Sequence, residues 1–356
     1  MPPEREQGRI ADAIESHITR LDDAVATLKR VERNLERYRA SVLKSAVEGR
    51  LVPTEAALAK QERRTYEPAS VLLDRIRTER RRRWTESGKK GKYEEPTAPD
   101  TTNLPSLPEG WYYVRVPTLL LPTNEGMKTG PFGSLLKKHE HRQEGVPVLG
   151  IENIEPMRFV LGSKIHITAE KADQLCGYDV EPGDLLISRS GTVGQVCVVP
   201  EALGPARFST NVMRVRFLKG PPIPAFFALL LNGSPFVRSQ ISDLCKGTTR
   251  DFLNQEILST LVFPLPPLAE QARILDEVTR LVSVADTVAG DSDTTLLRAQ
   301  RLRQAILKWA FEGKLADQDP NDEPATVLLE RIKGERAVAT STPVKKATPV
   351  RVKARR

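Results

Sequence analysis

Three short stretches collect the side chains that suit contact with a phosphate backbone or base edges. KTGPFGSLLKK (128–138) sets two glycines, a proline and hydroxyls among three lysines, with Lys128, Phe132, Ser134 and Lys137 as its candidate contacts. SRSGTVG (188–194) offers Arg189 and Thr192. CKGTTRDF (245–252) offers Thr249 and Arg250. Glycine lets a backbone approach closely, and lysine, arginine and hydroxyl groups donate to phosphate oxygens and base edges. Each stretch alone also reads as a solvated loop; three in one region point to a nucleic-acid face. Catalytic chemistry is harder to find. His139 and His141 would share a face if their stretch were a strand, but no third ligand of suitable type is nearby, so no metal site is expected. Glu312-Gly313-Lys314 has the acid-x-lysine form of some nuclease sites, yet it reads better as a glycine helix stop followed by a basic residue. No Ser–His–Asp spacing, phosphate-cradling G-x-x-x-x-G-K or G-x-G-x-x-G after a strand is evident.

The elements that must position these loops lie between about 107 and 264. Proline and glycine are frequent there, and apolar residues alternate in YYVRV (112–116), VPVLGI (146–151), DLLISRS (184–190), VGQVCVV (193–199) and NVMRVRF (211–217). These read as short strands, with helices over 223–233 and 253–261, giving an α+β domain. A polar, proline-rich linker (86–106) precedes it. Arg80–Arg83, followed by Lys89, Lys90 and Lys92, reads either as a phosphate clamp or as a solvated helix end.

Around this domain the chain repeats itself. PPEREQGRI (2–10) returns as PPLAEQARI (266–274), and RASVLKSAVEGRL (39–51) as RQAILKWAFEGKL (303–315), both shifted by 264 residues. EPASVLLDRIRTER (67–80) returns as EPATVLLERIKGER (323–336), shifted by 256. Each copy predicts a long helix with a narrow apolar stripe of coiled-coil type and a shorter helix after it. In the first copy these span about 4–48 and 68–84; the rod would be roughly 65–70 Å long. Gly290-Asp291-Ser292 is expected to kink the second rod. So narrow a stripe needs a partner, and the other copy is the obvious one. The expected organisation is therefore a first spacer (1–85), linker (86–106), inserted domain (107–264), second spacer (265–336) and tail (337–356).

Bulk properties set limits. Of the net charge of +8, six positive charges sit in the last twenty residues without an acid, so the body is nearly neutral and the tail is expected to be disordered. Three scattered cysteines argue against a disulfide framework. The charged N-terminus is no signal peptide and no run of about 20 apolar residues occurs, so a cytoplasmic protein without membrane spans is expected.

Taken with their order, LPEGWYYVRV (107–116), GPFGSLL (130–136), GDLLISRSGTVGQVCVV (183–199), FSTNVMRVRF (208–217), PLPPLAEQ (264–271) and EGKL followed by EPATVLLERI resemble the specificity subunit of a type I restriction–modification system. The resemblance covers roughly residues 1–336. It implies a target-recognition domain between helical spacers and a non-catalytic, DNA-recognising chain. Double-stranded DNA, modification (methyltransferase) subunits and a restriction (translocase–nuclease) subunit would be its partners. S-adenosylmethionine, Mg and ATP would belong to those partners and no cofactor to this chain. The family pattern has two recognition domains; this sequence has one between two spacers, so either self-association through the spacers supplies the second, which is the expectation, or the chain is a truncated product that needs another fragment. Alternatives are the specificity subunit of a related bifunctional restriction–methylation enzyme, and a coiled-coil scaffold that modulates a full-length subunit. A fused adenine methyltransferase would need an Asn/Asp-Pro-Pro-aromatic tetrapeptide, and neither Pro221-Pro222 nor Pro266-Pro267 has the required residue before it.

Overall fold

The computed structural model describes residues 2–131, 135–218, 224–245 and 253–341. Its helices are α1 (Glu4–Val47), α2 (Glu55–Glu62), α3 (Ala69–Glu86), α4 (Ala169–Gln174), α5 (Pro224–Gly233), α6 (Pro235–Cys245), α7 (Gln255–Thr260), α8 (Leu268–Phe311) and α9 (Ala325–Ser341). Its strands are β1 (Tyr112–Arg115), β2 (Met127–Thr129), β3 (Val146–Leu149), β4 (Ile154–Glu155), β5 (Arg158–Phe159), β6 (His166–Ile167), β7 (Leu185–Ser188), β8 (Val196–Val198), β9 (Arg207–Phe208), β10 (Val212–Val215) and β11 (Val262–Leu265). The chain divides into two compact units.

The first unit holds residues 1–35 and 286–356. Here the start of α1 runs against the chain beyond α8. Arg9 Nη2 donates to Asp322 Oδ2 at 2.5 Å, and Arg303 pairs with Asp22. Leu21 and Ala24 of α1 face Leu302, Ile306 and Trp309 of α8 across an apolar groove of about 350 Å³. The two repeats thus partner one another, as the narrow stripes require. Helix α8 passes through Gly290-Asp291-Ser292 without a break in its helical assignment. Helix α9 continues to Ser341, past the expected spacer end at 336; the rest of the basic tail lies outside the described residues.

The second unit, residues 36–285, contains the α+β domain. A four-stranded antiparallel sheet has the order β2-β10-β7-β8, and a three-stranded sheet has the order β6-β3-β9 with β3 and β9 parallel. A separate ribbon pairs β1 with β11, joining the two ends of the domain. Helix α5 is apolar on every side, and Phe226 to Leu231 are all buried, as an all-round apolar helix must be. Phe227 packs between Phe217 and Phe263, with ring centroids 5.1 and 5.3 Å away.

Both long helices end the same way. Gly49 and Gly313 each adopt φ +68°, a left-handed conformation that glycine takes without strain. Arg50 N–H reaches Ser45 O at 2.9 Å, and Lys314 N–H reaches Trp309 O at 2.8 Å. The Glu-Gly-Lys triplet is a helix stop in structure as in sequence. The arginine run of α3 is spent locally: Arg81 binds Glu95 at 2.9 Å, Arg82 and Arg83 share Glu79 at 2.6 and 2.8 Å, and Arg80 reaches Pro117 O and the Tyr93 hydroxyl. That pattern is a charged helix face holding down the linker.

Candidate nucleic-acid interface

The described residues that flank the three stretches picked out by side-chain chemistry meet at one edge of the α+β domain. The first leaves β2 at Gly130, whose N–H donates to Val212 O at 3.0 Å. A Cβ at Gly130 would lie 1.9 Å from Ser209 O, so only glycine permits this approach. Thr210 Oγ1 then donates to Pro131 O at 2.5 Å, fixing the first loop on the turn between β9 and β10. The second loop follows β7, and its Arg189 N–H donates to Asn211 O at 3.0 Å, in the same turn. The third returns at Leu253, whose N–H donates to Arg189 O at 3.3 Å. Gln255, at the start of α7, donates from Nε2 to Thr129 Oγ1 at 3.1 Å, tying α7 to β2.

Arg189 is the hub of this arrangement. The side chain is 3% exposed. Its Nε donates to Leu253 O at 3.2 Å and its Nη1 to Thr210 O at 3.2 Å. Burial lowers its pKa from the usual arginine value. A guanidinium bonded to carbonyls of two distant segments holds those segments in register. Removing it would leave those carbonyls buried without donors, which is costly.

The other candidates divide. Thr192 is exposed at the tip of the second loop, with its hydroxyl 3.2 Å from Ser188 Oγ. Lys137 is exposed, and its backbone N–H is held by Glu140 Oε2 at 2.6 Å, leaving the ammonium to solvent. Lys128 is half-buried on β2: its Nζ lies 3.5 Å from Glu125 Oε1 and 4.9 Å above the Tyr178 ring. A DNA phosphate would have to compete for it. Phe132, Ser134, Thr249 and Arg250 lie outside the described residues. The Lys138–Glu140 stretch is a short 3-10 turn, so His139 and His141 do not sit on one strand face. Sequence reasoning missed the Ser209–Asn211 turn, which anchors two of the loops; its Ser-Thr-Asn run, between two strands, was the available signal.

Beneath this edge a buried ion network stiffens the four-stranded sheet. Arg214 of β10 is fully buried, with Nη2 2.5 Å from Glu125 Oε2 and Nη1 2.7 Å from Asp179 O. Arg216 binds Asp184 at 2.8 Å and Asp179 at 3.1 Å. Burial pushes the Glu125 and Asp179 carboxyls up, but the arginines outweigh it and leave both below the usual range.

At its junctions with the helices, the domain is latched by two buried side chains. Trp111 Nε1 donates to Glu270 Oε1 at 2.8 Å, and Glu55 N–H donates to Glu270 Oε2 at 2.8 Å. Glu270 is fully buried; burial raises its pKa, against the pull of these donors and of Arg273. Arg273 Nη1 also lies 2.6 Å from Glu55 Oε2.

Comparison with known proteins agrees with this anatomy. Residues 132–290 match the family described as type I restriction modification DNA specificity domain. Over 351 residues the chain is 24% identical to the type I restriction enzyme EcoBI specificity subunit of Escherichia coli, covering 95% of this chain and 64% of that subunit. It is 25% identical over 355 residues to the EcoKI specificity subunit of Escherichia coli strain K12, again covering 95% of this chain and 64% of that one. A shorter stretch of 95 residues is 39% identical to the EcoDI specificity subunit of Escherichia coli, covering 24% of this chain and 21% of the relative. The chain therefore spans less than two thirds of these relatives. A solved chain from a study of complex assembly and conformational transition in the type I R-M system shares the fold, with TM-score 0.58, 19% identity, and coverage of 88% of this chain and 61% of that one.

Proposed function

We propose that this chain, which carries a type I restriction modification DNA specificity domain and resembles specificity subunits along most of its length, is the sequence-reading component of a restriction–modification complex. The observation that carries this reading is the convergence, on one edge of the matched domain, of the residues that flank three glycine- and hydroxyl-rich stretches, tied together through Arg189. Loops held in register by a buried hub suit hydrogen bonding to base edges in the major groove, where each base pair shows a distinct donor and acceptor pattern. Lysines such as Lys137 at the rim hold phosphates, so affinity falls as salt rises.

In this reading the chain does no chemistry itself. Partner modification subunits flip the target adenine and methylate its N6 with S-adenosylmethionine, and a restriction subunit brings ATP- and Mg-dependent translocation and cleavage. The paired helices of the spacers are the surface on which those subunits assemble. A complex with two recognition domains reads a bipartite target.

The test is to express the chain with its cognate modification subunit and map N6-methyladenine in the cell's DNA. A recurrent bipartite motif is expected, together with a gel shift by the purified complex on DNA bearing it. Absence of motif-specific methylation and of any DNA binding, with or without the modification subunit, would leave the helical scaffold as the better reading.

A further inference from the structure

One exposed side chain at the candidate edge is held in place by its backbone while its own polar atoms stay outside the framework. The turn Ser209–Val212 joins β9 to β10 and is closed by Val212 N–H, which donates to Ser209 O at 3.1 Å. Thr210 and Asn211 are its central residues. The backbone around them is fixed at every carbonyl. Ser209 N–H donates to Leu149 O at 2.8 Å, Arg189 N–H to Asn211 O at 3.0 Å, and Gly130 N–H to Val212 O at 3.0 Å. Arg189 Nη1 donates to Thr210 O at 3.2 Å, and Thr210 Oγ1 is committed to Pro131 O. Asn211 is exposed among these anchors.

Asparagine is favoured in turns for two local reasons: it tolerates a left-handed backbone, and its side chain bonds backbone two residues on. Neither accounts for Asn211. Among the described residues the non-glycines with positive φ are Arg63 and Met157. No hydrogen bond among the described residues engages the Asn211 carboxamide. The neighbouring carboxamides have structural work instead. Asn254 Oδ1 accepts from Ile257 N–H at 2.7 Å, capping α7, and Gln255 Nε2 is bonded to Thr129 Oγ1. Asn232 brackets Val196, accepting from its N–H at 3.3 Å and donating to its carbonyl at 2.9 Å. Gln195, in the turn between β7 and β8, is half-buried. Asn211 alone of these presents a donor and an acceptor to solvent from a backbone that cannot shift.

We infer that Asn211 selects an adenine in the major groove, with its Nδ2 donating to the base N7 and its Oδ1 accepting from the base N6. The inference rests on the reading of residues 107–264 as a DNA-recognition domain and adds which residue chooses which base. The chemistry is complementary at both points. A carboxamide sets one donor beside one acceptor, and the major-groove edge of adenine sets the N7 acceptor beside the N6 donor. Guanine shows two acceptors there, thymine an acceptor and a methyl group, and cytosine a donor, so each leaves half of the carboxamide unpaired. Two-point pairing also demands a fixed origin, which the anchored turn supplies without ordering on binding.

The experiment expresses the full chain with its cognate modification subunit and compares N6-methyladenine maps for the wild type and Asn211→Ala. The wild-type motif should hold an A·T pair at one position that becomes degenerate in the variant, together with its symmetry mate in a palindromic motif, while the other positions stay fixed. The preference for A·T there should fall about 5- to 140-fold, the value of a bidentate base contact. Asn211→Asp should turn the same position toward cytosine, whose N4 donates to a carboxylate. In gel shifts, 7-deazaadenine at that position, which lacks the N7 acceptor, should weaken the wild-type complex and leave the Asn211→Ala complex unaffected. Both variants should keep the wild-type urea midpoint, because the side chain is exposed. A motif unchanged at every position, a loss spread evenly over all positions, relaxation at a G·C pair, a lowered urea midpoint, or equal sensitivity of both proteins to 7-deazaadenine would overturn the assignment. A wild-type chain that directs no motif and binds no DNA would overturn the reading of the domain itself, whereas a clear wild-type motif that Asn211→Ala leaves intact overturns the adenine contact alone.

Discussion

Replacing Trp111 by phenylalanine tests how the recognition domain is fastened to the helices. The substitution removes the N–H that lies 2.8 Å from Glu270 Oε1, in a site where Glu270 is fully buried and Trp111 is 7% exposed. A hydrogen bond to a charged group contributes about 1.5–3 kcal/mol. The smaller ring also uncovers Gly49, adding about 1 kcal/mol for the unfilled space. Urea unfolding followed by far-UV circular dichroism should therefore show a loss of about 2.5–4 kcal/mol at neutral pH. The pH dependence is more discriminating. Burial holds the Glu270 pKa above its ordinary 4.5. An acid whose folded pKa is raised contributes stability that is complete below the unfolded value and is lost as pH rises through the folded one. Taking away the indole removes a donor to the charged form and raises the folded pKa further. The penalty of Trp111→Phe should thus be smallest in acid and reach its full size once the pH exceeds the folded pKa. A loss under about 1 kcal/mol at pH 7, or an equal loss at pH 4.5 and pH 8, would refute the latch.

Three further outcomes are expected. Arg189→Met should lower stability by about 2–4 kcal/mol, because two buried carbonyls lose their donor, and should weaken all DNA sequences alike; a changed base preference with unchanged stability would contradict its role as a hub. Lys137→Ala should reduce the slope of log affinity against log salt by about 1 while shifting stability by less than about 0.5 kcal/mol; titrations at several salt concentrations read this directly. Glu125→Gln should destabilise the protein at neutral pH, and the difference should fade in acid. The Glu125 pKa is depressed, so its contribution is present above the ordinary 4.5 and lost as pH falls through the folded value; a difference that persists unchanged to pH 2 in denaturation curves would argue against the Arg214 pairing.

How much of this was legible in sequence depended on whether the cause was local. The repeats were found by direct residue matching, and the ends of α1 and α8 were announced by Gly49 and Gly313. Five of the strands follow from alternation. By contrast, β11 carries Pro264, which reads as a strand breaker; it is tolerated because β11 pairs only with β1, in a two-stranded ribbon. Helix α6 was missed because PFVRSQISDLC buries little besides Val237 and Ile241, so its apolar stripe is weak. The loops of the candidate interface were recognisable by composition, but the roles within them were not. Arg189 sits in a polar loop and looks exposed, while its guanidinium turns to carbonyls 21 and 64 residues away. Likewise Lys128 resembles a free cation until the fold places Tyr178 and Glu125 beside it. Non-local pairing decided each of these cases.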